Sequence, residues 1–252
     1  NADGALGSRG AWLLDDYTDR PGHFGMATQS MEYVYEVSKD GLANGFQVNT
    51  HAIGDRTNRE VLDQYEKVFN AKPGLAQDHR WRIEHAQHID PLDIPRFGAM
   101  GVLPSIQGIH MSSDRPWAID RLGKRRIVEG AYVWRDLIDS GAILINGTDV
   151  PVEPIDPIAS FYASTTRQTL KGKPKGGYEP RQKMTRLEAL KSYTINAAYG
   201  AFEEDIKGSI SIGKYADFTV LSQNIITVPD NQILNTKITH TIVNGVIEYT
   251  AN

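Results

Sequence analysis

The 252-residue sequence contains no cysteine. This absence excludes disulfides, zinc sites built from thiolates and cysteine nucleophiles. Long apolar runs are also absent: the strongest, at residues 142–145, is only four residues long, whereas a helix that spans a bilayer needs about 20 apolar residues. No signal peptide or targeting segment is recognisable, so a cytoplasmic location is expected.

Positive charge is scarce and dispersed. The 27 Lys and Arg residues are outnumbered by 31 Asp and Glu residues, which gives a net charge of −4 at pH 7. The only basic cluster lies at residues 123–126. Nucleic acids and anionic membranes bind to broad basic faces, so neither is an expected partner. Apolar residues make up 40% of the chain, which is enough for a folded core.

The sequence alternates between short apolar strands and amphipathic helices. Strands are predicted at residues 45–51, 81–85, 101–107 and 142–146, and helices at residues 28–39, about 58–70, 127–138 and 185–199. This alternation predicts parallel βαβ units in a barrel or a doubly wound sheet. From about residue 207 the apolar residues alternate at period two between turn residues, which predicts a small antiparallel β unit.

Three polar residues lie at the C-terminal ends of predicted strands. They are His51, His85 and Asp149. In a closed parallel barrel all strand ends open onto one face, where active sites are built. Two imidazoles and a carboxylate at that face suit a borderline divalent cation such as zinc. Taken singly, each histidine could be a structural residue and the aspartate a turn former, but their shared placement favours a metal site.

Two further polar residues lie at the end of the strand predicted at residues 101–107. Gln107 and His110 could orient a substrate from that position. Hydrogen bonding within the loop is an equally good explanation of their placement. His88 follows His85 by three residues and is expected to be structural.

Seven segments carry recognisable motifs: residues 3–11 (DGALGSRGA), 49–56 (NTHAIGDR), 82–87 (RIEHAQ), 147–152 (GTDVPV), 193–198 (YTINAA), 207–210 (KGSI) and 213–218 (GKYADF). Together they resemble the amidohydrolase superfamily, in its YtcJ-like branch of metal-dependent hydrolases. They occur in the family's order and cover almost the whole chain. The resemblance is specific for the branch and does not indicate a substrate.

The resemblance implies an α/β fold, a distorted (β/α)₈ barrel with a small β-sandwich. Residues 1–206 would form the C-terminal half of the barrel, and residues 207–252 would contribute strands to the sandwich. His51, His85 and Asp149 would bind one or two divalent metal ions, most simply zinc. Gln107 and His110 match a segment that approaches substrate. The family's His-x-His pair is absent from this sequence and its metal-bridging lysine would precede Asn1.

A missing N-terminal half, or a second copy of the chain, is therefore the expected partner, and a fragment is the favoured explanation. In a complete site, a metal-activated water would hydrolyse an amide-type C–N bond of a small molecule, with Asp149 as the general base. The alternative is an inactive or structural half of an assembly. A phosphate-binding isomerase or lyase is a weaker alternative, because no phosphate-binding glycines are evident near the last strands.

Overall fold

The computed structural model describes residues 1–251 and divides into two compact units. The first unit comprises residues 1–106 and 113–144, and the second comprises residues 107–112 and those from Ile145 onward. No helix among the described residues combines the length and the hydropathy that crossing a membrane requires.

The first unit is built on parallel strands with helices between them. Its elements are α1 (Met31–Ala43), β1 (Asn49–Ala52), α2 (Asp55–Ala71), β2 (Arg82–His85), α3 (Ile94–Met100), β3 (Leu103–Ile106), most of α4 (Gly108–Gly130) and α5 (Trp134–Asp139). Strand β2 pairs in parallel with both β1 and β3, and His51 lies opposite Glu84 in the first ladder. The strands form an open sheet, which confirms the predicted parallel α/β arrangement.

Helix α2 shows why this unit folds as predicted. Its apolar residues recur on one face, and Val61, Leu62, Tyr65 and Val68 are buried. The Tyr65 hydroxyl lies 2.7 Å from the Thr50 hydroxyl and so ties the helix to β1. Burying each Val or Leu side chain contributes about 1.5–3 kcal/mol.

The second unit contains the start of α4, then α-helices and an antiparallel sheet. Its further α-helices and strands are β4 (Ile145–Asn146), α6 (Pro157–Thr166), α7 (Arg186–Tyr193), α8 (Ile195–Gly200), β5 (Phe218–Leu221), β6 (Ile238–Val243) and β7 (Val246–Thr250), and short 3₁₀ helices lie at Pro180–Gln182 and Asp230–Asn235. β6 pairs with both β5 and β7 in antiparallel register. This sheet lies within the predicted C-terminal segment, and the domain boundary after residue 206 stays a prediction.

The sequence did not predict α3, α6 or the part of α4 before residue 127. Several predicted elements also differ in extent. The helix predicted at residues 127–138 is interrupted, because Ile89 donates to the Gly130 carbonyl and Tyr132 donates to the Gln87 carbonyl, with Tyr132 at a φ of 53°. The helix predicted at residues 185–199 has its capping box at Thr185 but breaks at Thr194, whose φ is −120° and ψ is −98°. The strand predicted at residues 142–146 forms over only two residues.

Candidate functional site

The first unit brings His51 and His85 together. His51 is the third of the four residues of β1, and His85 is the last residue of β2. Ala52, which follows His51, is the register partner of His85 across the β1–β2 ladder. The two ring centroids lie 4.5 Å apart, and the rings meet edge to face at 76°. The sequence predicts both residues at strand ends, and their role as metal ligands stays a prediction.

The backbone at the end of β2 is held in an uncommon conformation. His85 has a φ of 76° and Ala86 a φ of 41°, both in the left-handed region. For residues other than glycine, such conformations cost on the order of 1–3 kcal/mol each and cluster at functional sites. The chain therefore tolerates local strain at the residue that carries one of the two imidazoles.

A buried carboxylate lies beside His51. Asp3 is 2% exposed, and its Oδ1 lies 3.4 Å from His51 Nε2. The same carboxylate accepts hydrogen bonds from the backbone of Trp12, Ile53 and Gly54. Sequence reasoning missed Asp3 as a site residue, because 48 positions separate it from His51 and no spacing rule connects the two. Its position in the first segment of the family resemblance was the only signal.

The second unit brings His110 and Asp149 together. His110 Nε2 lies 3.8 Å from Asp149 Oδ2. The His110 side chain is buried, whereas 36% of the Asp149 side chain is exposed. Asp149 has a φ of 57°, and the preceding loop is held by a 3.3 Å hydrogen bond from the Tyr193 hydroxyl to the Gly147 carbonyl. Burial raises the pKa of Tyr193 above its usual range, so this hydroxyl remains a donor.

Gln107 lies on the same turn as His110. The Gln107 carbonyl accepts a hydrogen bond from the His110 backbone, and its side chain is buried. At Gly108, the start of α4, a Cβ atom would lie 2.1 Å from the Ser164 hydroxyl oxygen, so only glycine fits. The Gly108 N–H donates to the side chain of Asn146. Both predicted substrate-binding residues are thus fixed by contacts within the second unit.

His88 is buried differently from the site histidines. It is 3% exposed, and neither ring nitrogen has a hydrogen-bond partner among residues 1–251. Burial lowers the pKa of His88 to about 3, with Asp3 opposing the shift and Arg126 adding to it. The imidazole is therefore neutral at physiological pH and packs edge-on against the Tyr132 ring.

The donor set in the first unit fits a divalent cation. His51 Nε2 is buried and has no hydrogen-bond partner among the described residues. Of the two ring nitrogens, it is the one near Asp3, with 3.4 Å between Nε2 and Oδ1. A neutral imidazole whose one nitrogen points to a carboxylate presents a lone pair on its other nitrogen. Two adjacent imidazoles on neighbouring parallel strands, with a carboxylate beside one of them, are donor types that divalent cations bind in α/β proteins.

Comparison with known proteins identifies the family. The amidohydrolase family matches residues 1–249, and the chain belongs to that family. It is 34% identical over 248 residues to the YtcJ protein of Bacillus subtilis (strain 168), covering 98% of this chain and 46% of YtcJ. It is 25% identical over 228 residues to N-substituted formamide deformylase of Arthrobacter pascens, covering 90% of this chain and 41% of that enzyme.

A solved structure agrees with the family assignment. The crystal structure of an uncharacterized metal-dependent hydrolase from Pyrococcus horikoshii OT3 superposes with a TM-score of 0.77 at 31% identity. The match covers 91% of this chain and 44% of that one. The chain spans less than half the length of each of these relatives.

Proposed function

We propose that the protein is a metal-dependent hydrolase that breaks an amide-type C–N bond, other than a peptide bond, in a small molecule. The observation that carries the proposal is the pair of imidazoles of His51 and His85, whose centroids lie 4.5 Å apart at the ends of adjacent parallel strands. Membership of the amidohydrolase family supports hydrolysis. The bond type is supported by the relative from Arthrobacter pascens, whose name describes removal of a formyl group from substituted formamides.

The proposal concerns the complete protein, because the chain spans less than half of its relatives. In that protein, residues 1–206 would form half of a (β/α)₈ barrel, and residues 207–252 would join a small β-sandwich. The parallel register of β1, β2 and β3 supports the first assignment, and the antiparallel register of β5, β6 and β7 supports the second. Further metal ligands would come from sequence outside this chain or from a second copy of it.

The proposed metal ligands are His51, His85 and Asp149, and the proposed ion is zinc, one or two per complete site. The histidines would bind as neutral imidazoles. When bound, a divalent cation supplies Lewis-acid polarisation of the scissile carbonyl and lowers the pKa of a water molecule to about 7. Imidazole and carboxylate ligands without thiolates are consistent with the absence of cysteine.

Asp149 would act as the general base and then as the general acid. Its carboxylate is one-third exposed, so it can reach a water molecule and a leaving group. It would take a proton from the attacking water and return it to the leaving nitrogen, as the C–N bond breaks to give a carboxylic acid and an amine. Gln107 and His110 would orient the substrate, since both are held on one turn of the second unit.

The proposal is tested on the protein expressed from its complete gene. Its metal content is measured by mass spectrometry, and its activity is measured on N-substituted formamides and other N-acyl amines, with a dipeptide as the negative substrate. His51→Ala and His85→Ala should lose stoichiometric metal. Asp149→Asn should lower kcat/KM by about 100- to 10,000-fold, the range that removal of a general base produces.

His240→Ala is the matched control, because His240 lies on β6 and outside the proposed site. This variant should keep both metal and activity. A complete wild-type protein that binds no stoichiometric metal would contradict the proposal and favour a structural role. Hydrolysis of the dipeptide in preference to the amides would contradict the bond type.

A further inference from the structure

We propose that Asp3 is a positioning residue that sets the tautomer and orientation of His51, with Nε2–H directed to the carboxylate and Nδ1 presented to the cation. This inference rests on the proposed function. It adds a residue to the site that neither the strand-end pattern nor the paired histidines identify.

The Asp3 carboxylate is fixed before any ligand arrives. Its Oδ2 accepts three hydrogen bonds, from the Trp12 N–H at 3.0 Å, the Gly54 N–H at 2.8 Å and the Thr57 hydroxyl at 2.7 Å. Its Oδ1 accepts one, from the Ile53 N–H at 3.0 Å. Four donors at these distances leave the carboxylate no freedom to rotate.

Gly54 makes this arrangement possible. A Cβ atom at this position would lie 2.0 Å from the Trp12 carbonyl oxygen, so the two backbone segments can approach only at a glycine. The approach places the Trp12 and Gly54 N–H groups on the same carboxylate oxygen. The buried charge is therefore held by backbone geometry as well as by side chains.

The remaining side of Oδ1 is directed at His51. His51 Nε2 lies 3.4 Å away, is buried and has no hydrogen-bond partner among residues 1–251. This distance exceeds that of an ordinary N–H···O bond, which is about 2.7–3.2 Å, so a slight turn of the ring would complete the bond. A carboxylate oxygen only accepts hydrogen bonds, so Nε2 can pair with Asp3 only when it carries the proton. The other tautomer would leave a buried lone pair facing the carboxylate, and this cost favours Nε2–H.

The same segment also holds the backbone of His51. The Ala2 N–H donates to the His51 carbonyl at 3.0 Å. Residues 2 and 3 thus contact both the main chain and the side chain of the proposed ligand. Histidines that bind metals commonly donate their other N–H to a carboxylate, and replacing that carboxylate weakens metal affinity by about 10- to 100-fold.

The first test needs no variant. In the metal-free complete protein, long-range ¹H–¹⁵N correlation spectra of ¹⁵N-labelled histidine report which ring nitrogen carries the proton. His51→Gln identifies the His51 signals. We expect the Nε2–H tautomer for His51, and an Nδ1–H tautomer would overturn the inference.

The second test compares Asp3→Asn with Thr57→Val. The control removes one hydrogen bond to Asp3 Oδ2 and leaves Oδ1 facing His51. Cobalt(II) affinity is measured by chelator competition, and the visible spectrum of the bound ion reports the ligand geometry. Asp3→Asn should weaken cobalt binding about 10- to 100-fold and shift the spectrum. Thr57→Val should lower Tm but leave affinity within about twofold, because the contact with His51 is retained.

The outcomes separate the two proposals. If the wild-type protein binds no metal, the proposed function fails. The NMR measurement of the His51 tautomer then still tests whether Asp3 orients the ring. If the wild-type protein binds cobalt and Asp3→Asn binds it equally well with an unchanged spectrum, the role of Asp3 is overturned while the proposed function stands.

Discussion

The antiparallel strands β5–β7 are richer in apolar residues than the parallel strands β1–β3, yet their side chains are less buried. In the first group Ile83, Leu103 and Ile106 are at most 3% exposed. In the second group every residue of β7, Val246–Thr250, is exposed. The strands of both sheets pair through backbone hydrogen bonds, so the difference lies in what covers the side chains.

This difference in side-chain burial indicates which sheet can support a functional site. The strand-end histidines lie where buried neighbours and a fixed carboxylate restrict their rings. None of the proposed site residues lies on β5, β6 or β7, whose side chains lack such surroundings. Preorganised geometry needs a packed support, and an exposed strand cannot give it.

The largest effect is expected for the core of the parallel sheet. Ile83→Ala removes a fully buried side chain from β2 and should lower the free energy of unfolding by about 2–5 kcal/mol, because it leaves a cavity. Urea denaturation measures the loss. Ile83→Val is the control and should cost about 0.5–1.5 kcal/mol. Equal losses for the two variants would show that the side chains around Ile83 relax and fill the cavity.

A smaller effect is expected from the buried imidazole of the first unit. The folded pKa of His88 is about 3, below the value of about 6.5 in an unfolded chain. Between these two pH values the unfolded state binds the extra proton, so stability falls as pH decreases from 6.5 toward 3. The expected loss from this group is about 1.4 kcal/mol for each pH unit in that window.

The measurement is the urea unfolding free energy at pH 7.5, 6.5 and 5.5. His88→Phe keeps a ring against Tyr132 and removes the titrating nitrogens, so its stability should lack this contribution. Asp3 and Arg126 are the charged groups that act on His88, and both are present in the variant. If the stabilities of the two proteins depend on pH in the same way, then folding does not lower the pKa of His88, and the prediction is contradicted.

Much of this architecture could be predicted from local patterns. The face of α2, the capping box at Thr185 and the strand-end positions of His51 and His85 all follow from short-range spacing. The break at Thr194 could not be predicted, because no proline or glycine stands at that point of the sequence to end a helix.

The contacts that the site residues make could not be predicted from local sequence patterns either. Asp3 lies beside His51 because long-range contacts hold it there, among them the hydrogen bonds from the Trp12 and Gly54 backbones. His110 meets Asp149 across 39 positions of sequence. Strand periodicity predicts which residues lie at an edge, but it carries no information on which side chains then touch.

The smallest change in stability is expected for a substitution on β7. This substitution is the counterpart of Ile83→Ala in the parallel sheet. Ile247 is 60% exposed, and its strand is held by backbone pairing with β6. Ile247→Ala should therefore change the unfolding free energy by less than about 0.5 kcal/mol, as surface substitutions usually do. A loss above about 1.5 kcal/mol in the protein from the complete gene would show that this face is packed there, since burial of one isoleucine contributes that much. The contrast between the two sheets would then be a property of these 252 residues alone.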